Sequence, residues 1–168
     1  MGDVKNLSQR EAIDKIKRLV EDTENCMFST QLTQVPISSR PMHAQHVDDE
    51  GNVWFLSGKD SDKNQHILLD SRVQLFFAHP GKTEFLSIYG RATITEDQAK
   101  IENIWSSFAK TWFQEGTDDP NISAIKVSPE SGYYWDTKHG TVASLIKIAA
   151  SVVSGKTMDD GIEGKLDV

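Results

Sequence analysis

The stretch Pro36–Ser57, PISSRPMHAQHVDDEGNVWFLS, decides the architecture. Residues 36–47 read as a strand, Asp48–Asn52 (DDEGN) as a tight turn and Val53–Ser57 as a second strand. Asp, Asn and Gly favour such turns. A turn this short leaves no room for a crossover helix, so the two strands must run antiparallel. Pro41 sits inside the first strand and has no N–H to give to a ladder. That position therefore predicts an edge or an irregularity.

Working outward, the same grammar continues on both sides. Downstream, Asp60–Asp70 reads as a short helix capped by Asp60 or Ser61. Val73–Ala78 (VQLFFA) is a strand, His79–Thr83 a turn with Pro80-Gly81, and Phe85–Ile94 a longer strand in which Gly90 predicts a bulge or a close backbone approach. Upstream, Cys26–Gln31 alternates as a strand. A helix precedes it, opened by a Ser8/Glu11 capping box and carrying Ala12, Ile13, Ile16, Leu19 and Val20 on one face. Beyond residue 94, Thr95 and Gln98 predict a second capping box, with Ile101, Ile104, Trp105 and Phe108 on the helix that follows. Gly116–Pro120 is a loop. Ile122–Val127 and Gly132–Asp136 are two last strands. Val142, Leu145, Ile146, Ala149, Val152 and Val153 line a final helix, Thr141–Ser154. Gly155–Val168, rich in Gly, Asp and Lys, reads as a flexible tail. The expectation is a mainly β protein with flanking helices: one domain over 1–154, an antiparallel meander closed into a small barrel, then a tail over 155–168.

Composition narrows the partners. The 168 residues carry 18 Lys and Arg against 25 Asp and Glu, a net charge of −7. So acidic a chain is a poor non-specific nucleic-acid binder, which needs a basic face, although it can still hold a local basic pocket. The single cysteine, Cys26, excludes an internal disulfide and any Cys-based zinc site. The first residues show no signal-peptide core, and no run of about 18 apolar residues exists. The chain reads as a cytoplasmic protein that engages neither nucleic acid nor membrane.

G-x-S-x-G, H-E-x-x-H, the P-loop and G-x-G-x-x-G are all absent. His43 and His46 lie three apart in a strand and should face opposite sides, which argues against a shared metal. Two segments stand out. In Ser38-Ser39-Arg40-Pro41-Met42, an arginine inside a strand is either a solvated edge residue or an anion clamp. In Gly58-Lys59-Asp60-Ser61-Asp62-Lys63, an apolar strand runs into a helix N-terminus. There free N–H groups favour phosphate, and a first-turn lysine opposes the helix dipole unless an anion is present; the alternative, which spacing alone favours, is a Ser-capped surface helix with a solvated lysine.

These motifs, in order, resemble the flavin-binding split-barrel proteins related to pyridoxamine 5′-phosphate oxidase, and within them the general stress protein 26 type. The resembling residues are Ser39-Arg40-Pro41-Met42, Trp54-Phe55-Leu56-Ser57 and Asp60-Ser61-Asp62-Lys63. They continue in Trp112-Phe113, Gly116–Pro120 and Tyr133-Tyr134-Trp135-Asp136. The resemblance implies a split β-barrel homodimer with flavin mononucleotide (FMN) at the subunit interface. Arg40 and Lys63 would pair with its phosphate and Ser61 would hydrogen-bond it. Ser39, Pro41 and Met42 would lie along the isoalloxazine, and Phe55, Leu56 and Ser57 would flank the ring and ribityl chain. Trp112 or Trp135 would either pack in the core or come from the second subunit to cover the flavin, core packing being the favoured reading for Trp112 and the two readings standing about even for Trp135. Relatives of this barrel hold FAD, the deazaflavin coenzyme F420 or haem, which stand as alternative cofactors.

The chain departs from the oxidase itself. Arg40 stands alone where the oxidase has a longer basic clamp, and the C-terminal R-x-H segment that holds the substrate phosphate is missing. The resemblance thus implies a stress-related flavin oxidoreductase with an unassigned small-molecule substrate or electron donor and no assigned catalytic side chain. A non-catalytic flavin carrier, buffer or sensor is the alternative.

Overall fold

The computed structural model describes residues 3–137 and 161–168. Two short strands, β1 (Asp3–Val4) and β2 (Leu7–Ser8), lead into helix α1 (Gln9–Thr23). Then come β3 (Asn25–Thr30), β4 (Ser38–Val47), β5 (Val53–Gly58), α2 (Asp62–Leu69), β6 (Arg72–Ala78), β7 (Phe85–Thr95), α3 (Gln98–Ile104), β8 (Ile122–Thr137) and β9 (Gly161–Asp167). Between α3 and β8, two 3₁₀ turns cover Ser107–Thr111 and Gly116–Asp118.

Strands β8-β5-β4-β3-β6-β7 pair in that order, and β7 returns to β8, closing an antiparallel six-stranded barrel. Its interior holds Phe28, Phe55, Leu75, Ile88, Ile125 and Val127, all at or near zero exposure. Phe28 and Phe55 meet edge-on at 5.2 Å. Helix α1 packs Ala12, Ile16, Leu19 and Val20 into this core, as its apolar spacing requires. A second apolar cluster joins Ile101 and Ile104 of α3 to Trp54, Leu56, Ile122 and Ala124, with Ala109 and Phe113 of the 3₁₀ segment.

Several details differ from the sequence reading. The two last strands are one, β8, long enough to pair with β5 at its start and β9 at its end. The 155–168 tail reading is corrected at its end, because Gly161–Asp167 is a strand. Ile162, Gly164 and Leu166 alternate there with Glu163, Lys165 and Asp167, a period-2 pattern that the two glycines blur. β9 pairs antiparallel with β8 and parallel with β1 and β2. A Cβ at Gly164 would collide with the Lys5 carbonyl, so only glycine permits that approach. Gly90 does what its position predicts: β7 shifts register against β8 there, and a Cβ would overlap the Ser128 carbonyl. Ser8 sits at the N-cap of α1 without a side-chain bond, and Asp97, not Thr95, caps α3 by accepting from Ala99 and Lys100 N–H groups. Phe108 lies on the 3₁₀ turn rather than on α3. The predicted helix Thr141–Ser154 lies outside the described residues. Among those residues, no helix is long and apolar enough to cross a membrane.

Candidate functional site

The barrel has a seam. β4 pairs with β3 along Ser38–His43, but its pairing with β5 begins only at Ala44↔Phe55. Leu56, Ser57 and Gly58 turn instead to β8. Between Arg40–His43 on one side and Leu56–Gly58 on the other, the sheet is unzipped. A cavity of about 360 Å³ occupies the opening. Pro41 costs nothing here, because no strand lies across from it on the β5 side. The predicted irregularity at Pro41 is the lip of this seam.

Arg40, Pro41, Met42, Leu56, Ser57 and Lys63 line the cavity together with Gly58 and Asn121. The Arg40 guanidinium is held in place by neutral partners: it donates to Phe28 O at 3.2 Å, Thr30 Oγ1 at 2.9 Å and Ser38 Oγ at 2.6 Å. Lys63 reaches the same space from the first turn of α2. Among the described residues, neither cation forms an ion pair with a carboxylate. Burial lowers the pKa of Lys63, and the adjacent Arg40 charge lowers it further, against the attraction of Asp62 and Asp60. Burial also lowers that of Arg40, partly offset by Asp62. Two neighbouring, partly desolvated cations that form no ion pair among the described residues are chemically suited to an anion.

The floor is ordered by a buried polar chain. Ser57 Oγ donates to Asn64 Oδ1 at 2.8 Å, Asn64 Nδ2 donates to Ser123 Oγ at 3.0 Å, and Ser123 Oγ donates to Ser57 O at 2.9 Å. Ser61, the N-cap of α2, makes no capping bond. Its hydroxyl lies 3.1 Å from Ser57 Oγ, and Ser61 itself does not line the cavity. Asn64 and Ser123 are the parts that sequence reading missed. Asn64 sits one position after Lys63 in the first helical turn, which was the available signal.

The remaining predicted residues lie elsewhere. Ser39 points outward and bonds Ser29 Oγ at 2.6 Å. The Phe55 side chain is fully buried inside the barrel, so only its backbone faces the seam strand. Trp135 is 41% exposed on β8, stacked on Tyr133 at 4.7 Å, and does not line the cavity of its own chain. Trp112 is not core: it is 62% exposed at the mouth of the cavity. His43 and His46 hold no shared site, and among the described residues no cluster of His, Cys, Asp or Glu could hold a metal.

A second, shallower depression of about 700 Å³ lies between β7–β8 and β9, lined by Ser87, Tyr89, Ser131, Tyr133 and Lys165 among others. Hydroxyls dominate it, and its one cation is accompanied by Asp167, so it lacks the paired charge of the seam.

The barrel and its open seam can be set beside known proteins. The sequence profile described as "Pyridoxamine 5′-phosphate oxidase like" matches residues 11–159, and the chain belongs to that family. General stress protein 26 of Bacillus subtilis (strain 168) is 29% identical over 86 residues, 51% of this chain. The chain spans just over half the length of the curated relatives it matches, 54% and 57%. Among solved structures, a Jannaschia sp. CCS1 protein described as of the general stress protein 26 kind superposes with a TM-score of 0.76. The identity is 22%, and the match covers 95% of this chain and 96% of that one. The general stress FMN/FAD binding protein of Xanthomonas citri gives a TM-score of 0.65 at 23% identity, covering 76% and 89%. At these identities the structures speak for the fold.

Proposed function

We propose that this chain binds FMN in the β4–β5 seam and serves as a flavin-dependent oxidoreductase of the general stress protein 26 type. The observation that carries the reading is the Arg40–Lys63 pair, two adjacent cations on one cavity, Arg40 held by neutral partners and neither ion-paired to a carboxylate among the described residues. A phosphomonoester supplies the missing charge. Arg40 and Lys63 would hold the phosphate, with the Ser61 hydroxyl beside them. Pro41, Met42, Leu56 and Ser57 would form the walls beside the rest of the cofactor. Bound flavin supplies hydride and electron transfer; the chain binds it, orients it and excludes water from one face. The Xanthomonas citri neighbour, described as FMN/FAD binding, supports the cofactor class.

The same reading includes a homodimer. Across the outer face of the barrel, Pro41, Met27, Phe76, Ser87 and Tyr133 stand in one register row from β4 to β8. Phe85 and Trp135 are paired in the row alongside. Met27, Phe76, Phe85 and Trp135 are 41–50% exposed, an apolar face on which a second copy gains by burial. This row begins at Pro41, on the lip of the seam, which favours a cofactor site bounded by both chains. Trp135, away from its own seam, would then serve the partner's.

The test is to purify the chain from a flavin-replete host, record its visible spectrum, and identify the released chromophore by mass spectrometry. Light scattering measures its mass alongside. A yellow dimer releasing one FMN per chain is expected. A colourless chain that takes up no added FMN refutes the cofactor, and a flavin-loaded monomer refutes the shared interface.

A further inference from the structure

The seam cavity has two chemically different ends. From Arg40 to Gln45 it runs along β4 for about 16 Å, at about 3.3 Å per residue. One end carries the two cations. The other is lined by His43, Gln45, Ala109, Trp112 and Phe113, none of which bears a fixed charge.

That second end is finished by a ledge of rings. Phe108 and Trp112 meet edge-on at 4.8 Å, and His43 lies against Phe108 at 4.3 Å. The 3₁₀ segment is anchored from behind, with Ala109 and Phe113 buried in the α3 cluster. Phe108 and Trp112 are turned outward at 44% and 62% exposure. Two large aromatic side chains displayed by a segment that already has its own anchors are not explained by packing. His43 Nδ1 is 3.2 Å from Asn25 Oδ1. That contact orients the imidazole ring beside Phe108. Gln45 is fixed by Ser106, whose hydroxyl donates to its Oε1 at 2.6 Å.

We propose that the His43–Phe108–Trp112 ledge binds the molecule that meets the flavin, and that this molecule is an uncharged planar ring of the quinone class. Flat aromatic faces reward a flat ring, and the lack of fixed charge gives nothing to a phosphorylated amine at this end. The role as reaction partner rests on the FMN reading; the ring-binding surface does not.

The experiment is isothermal titration of 2-methyl-1,4-naphthoquinone, and separately of pyridoxamine 5′-phosphate, into the full chain with and without saturating FMN. Wild type is compared with Phe108→Ala, Trp112→Ala, the double variant and Trp112→Phe, and circular dichroism checks that each folds. The quinone is expected to bind more tightly than the phosphorylated amine. Each alanine should weaken it by up to about ten-fold, while Trp112→Phe retains most of the affinity and the FMN affinity is unmoved. Equal quinone affinity in wild type and the double variant overturns the proposal, as does tighter binding of pyridoxamine 5′-phosphate. A parallel loss of FMN affinity overturns it by assigning the ledge to the cofactor, and conversion to monomer overturns it by assigning the ledge to the partner chain. Quinone binding that persists where FMN fails to bind keeps the ledge and removes the flavin reading.

Discussion

Lys15, Arg18 and Lys82 each meet a carboxylate where α1 crosses the turn between β6 and β7, whereas among the described residues Arg40 and Lys63 form no such pair at the seam. In the first region Lys15 Nζ donates to Asp136 Oδ2 at 2.9 Å, and Arg18 bridges Asp136 and Glu84. Lys82 holds Asp22 at 3.0 Å. Asp136 and Glu84 are each only 8% exposed as side chains. The charges there cancel within the chain and tie a helix to two strands. At the seam Arg40 is held by a carbonyl and two hydroxyls, which leave its charge without an ion-pair partner among the described residues. Neutralised charge fastens the fold, and uncompensated charge waits for a ligand.

The contrast is sharpest in stability. Asp136→Ala leaves Lys15 and Arg18 facing each other without their shared acceptor. A fully buried pair broken this way costs about 3–5 kcal/mol; because Arg18 is 41% exposed, about 2–3 kcal/mol is expected here. Thermal denaturation should register this as roughly 5–10 °C, with FMN affinity unchanged. A melting point equal to wild type would dissolve the distinction between the two regions.

The converse holds at the seam. Arg40→Ala and Lys63→Ala should each weaken FMN binding by about 1.5–3 kcal/mol, the worth of a charged hydrogen bond. Without FMN, Lys63→Ala should not lower the melting point appreciably, since it relieves repulsion between two cations, whereas Arg40→Ala also gives up three hydrogen bonds and should lower it modestly. Fluorescence-quenching titration of FMN measures the first, and circular dichroism the second. Unchanged affinity in both variants removes the phosphate site.

pH separates the regions further. Burial raises the pKa of Asp136, but the hydrogen bonds from Lys15 and the Thr137 N–H and the nearby cations outweigh it, so the net direction is down. The hydrogen bond from Lys82 lowers that of Asp22. Carboxylates with depressed pKa contribute stability that is complete above their ordinary value of about 3.9 and lost as pH falls through the folded one. Urea melts should therefore weaken progressively below about pH 4, and Asp136→Asn should flatten that slope. At the seam the sign reverses. Lys63 loses its proton below the ordinary 10.5, so FMN affinity should decline in the alkaline range before an ordinary lysine titrates. Lys63→Arg, charged throughout, should abolish the decline.

Ser61→Ala should have the smallest effect. Its hydroxyl is already engaged with Ser57 at 3.1 Å and would exchange one partner for another. About 1 kcal/mol of FMN affinity is expected to be lost, roughly five-fold by titration.

Much of this was legible in advance. Pro36–Ser57 gave antiparallel strands through the shortness of its turn, and Gly90 marked the register shift through its missing side chain. Arg40 and Lys63 were recognisable because each breaks a local rule, a cation inside a strand and a cation at a helix N-terminus. Trp112 was misjudged because a tryptophan is usually buried, and only its neighbours show that Phe113 takes the core position. Phe55 was assigned to the cofactor from a motif, although strand alternation between Trp54 and Leu56 turns its side chain into the barrel.

The sequence by itself determined the elements from α1 to β7, their antiparallel pairing and the two cations, because turn chemistry, side-chain periodicity and the helix dipole act within a few residues. Only the tertiary structure decided the rest. The β4–β5 ladder parts after Ala44, so a seam exists at all. Ser57, Asn64 and Ser123 converge beneath it from three elements. A glycine-bearing segment near residue 164 finds β8 on one side and the first strands on the other. Those outcomes depend on pairings between residues tens to more than a hundred positions apart, whose reward of burial and backbone hydrogen bonding appears only once the chain has closed.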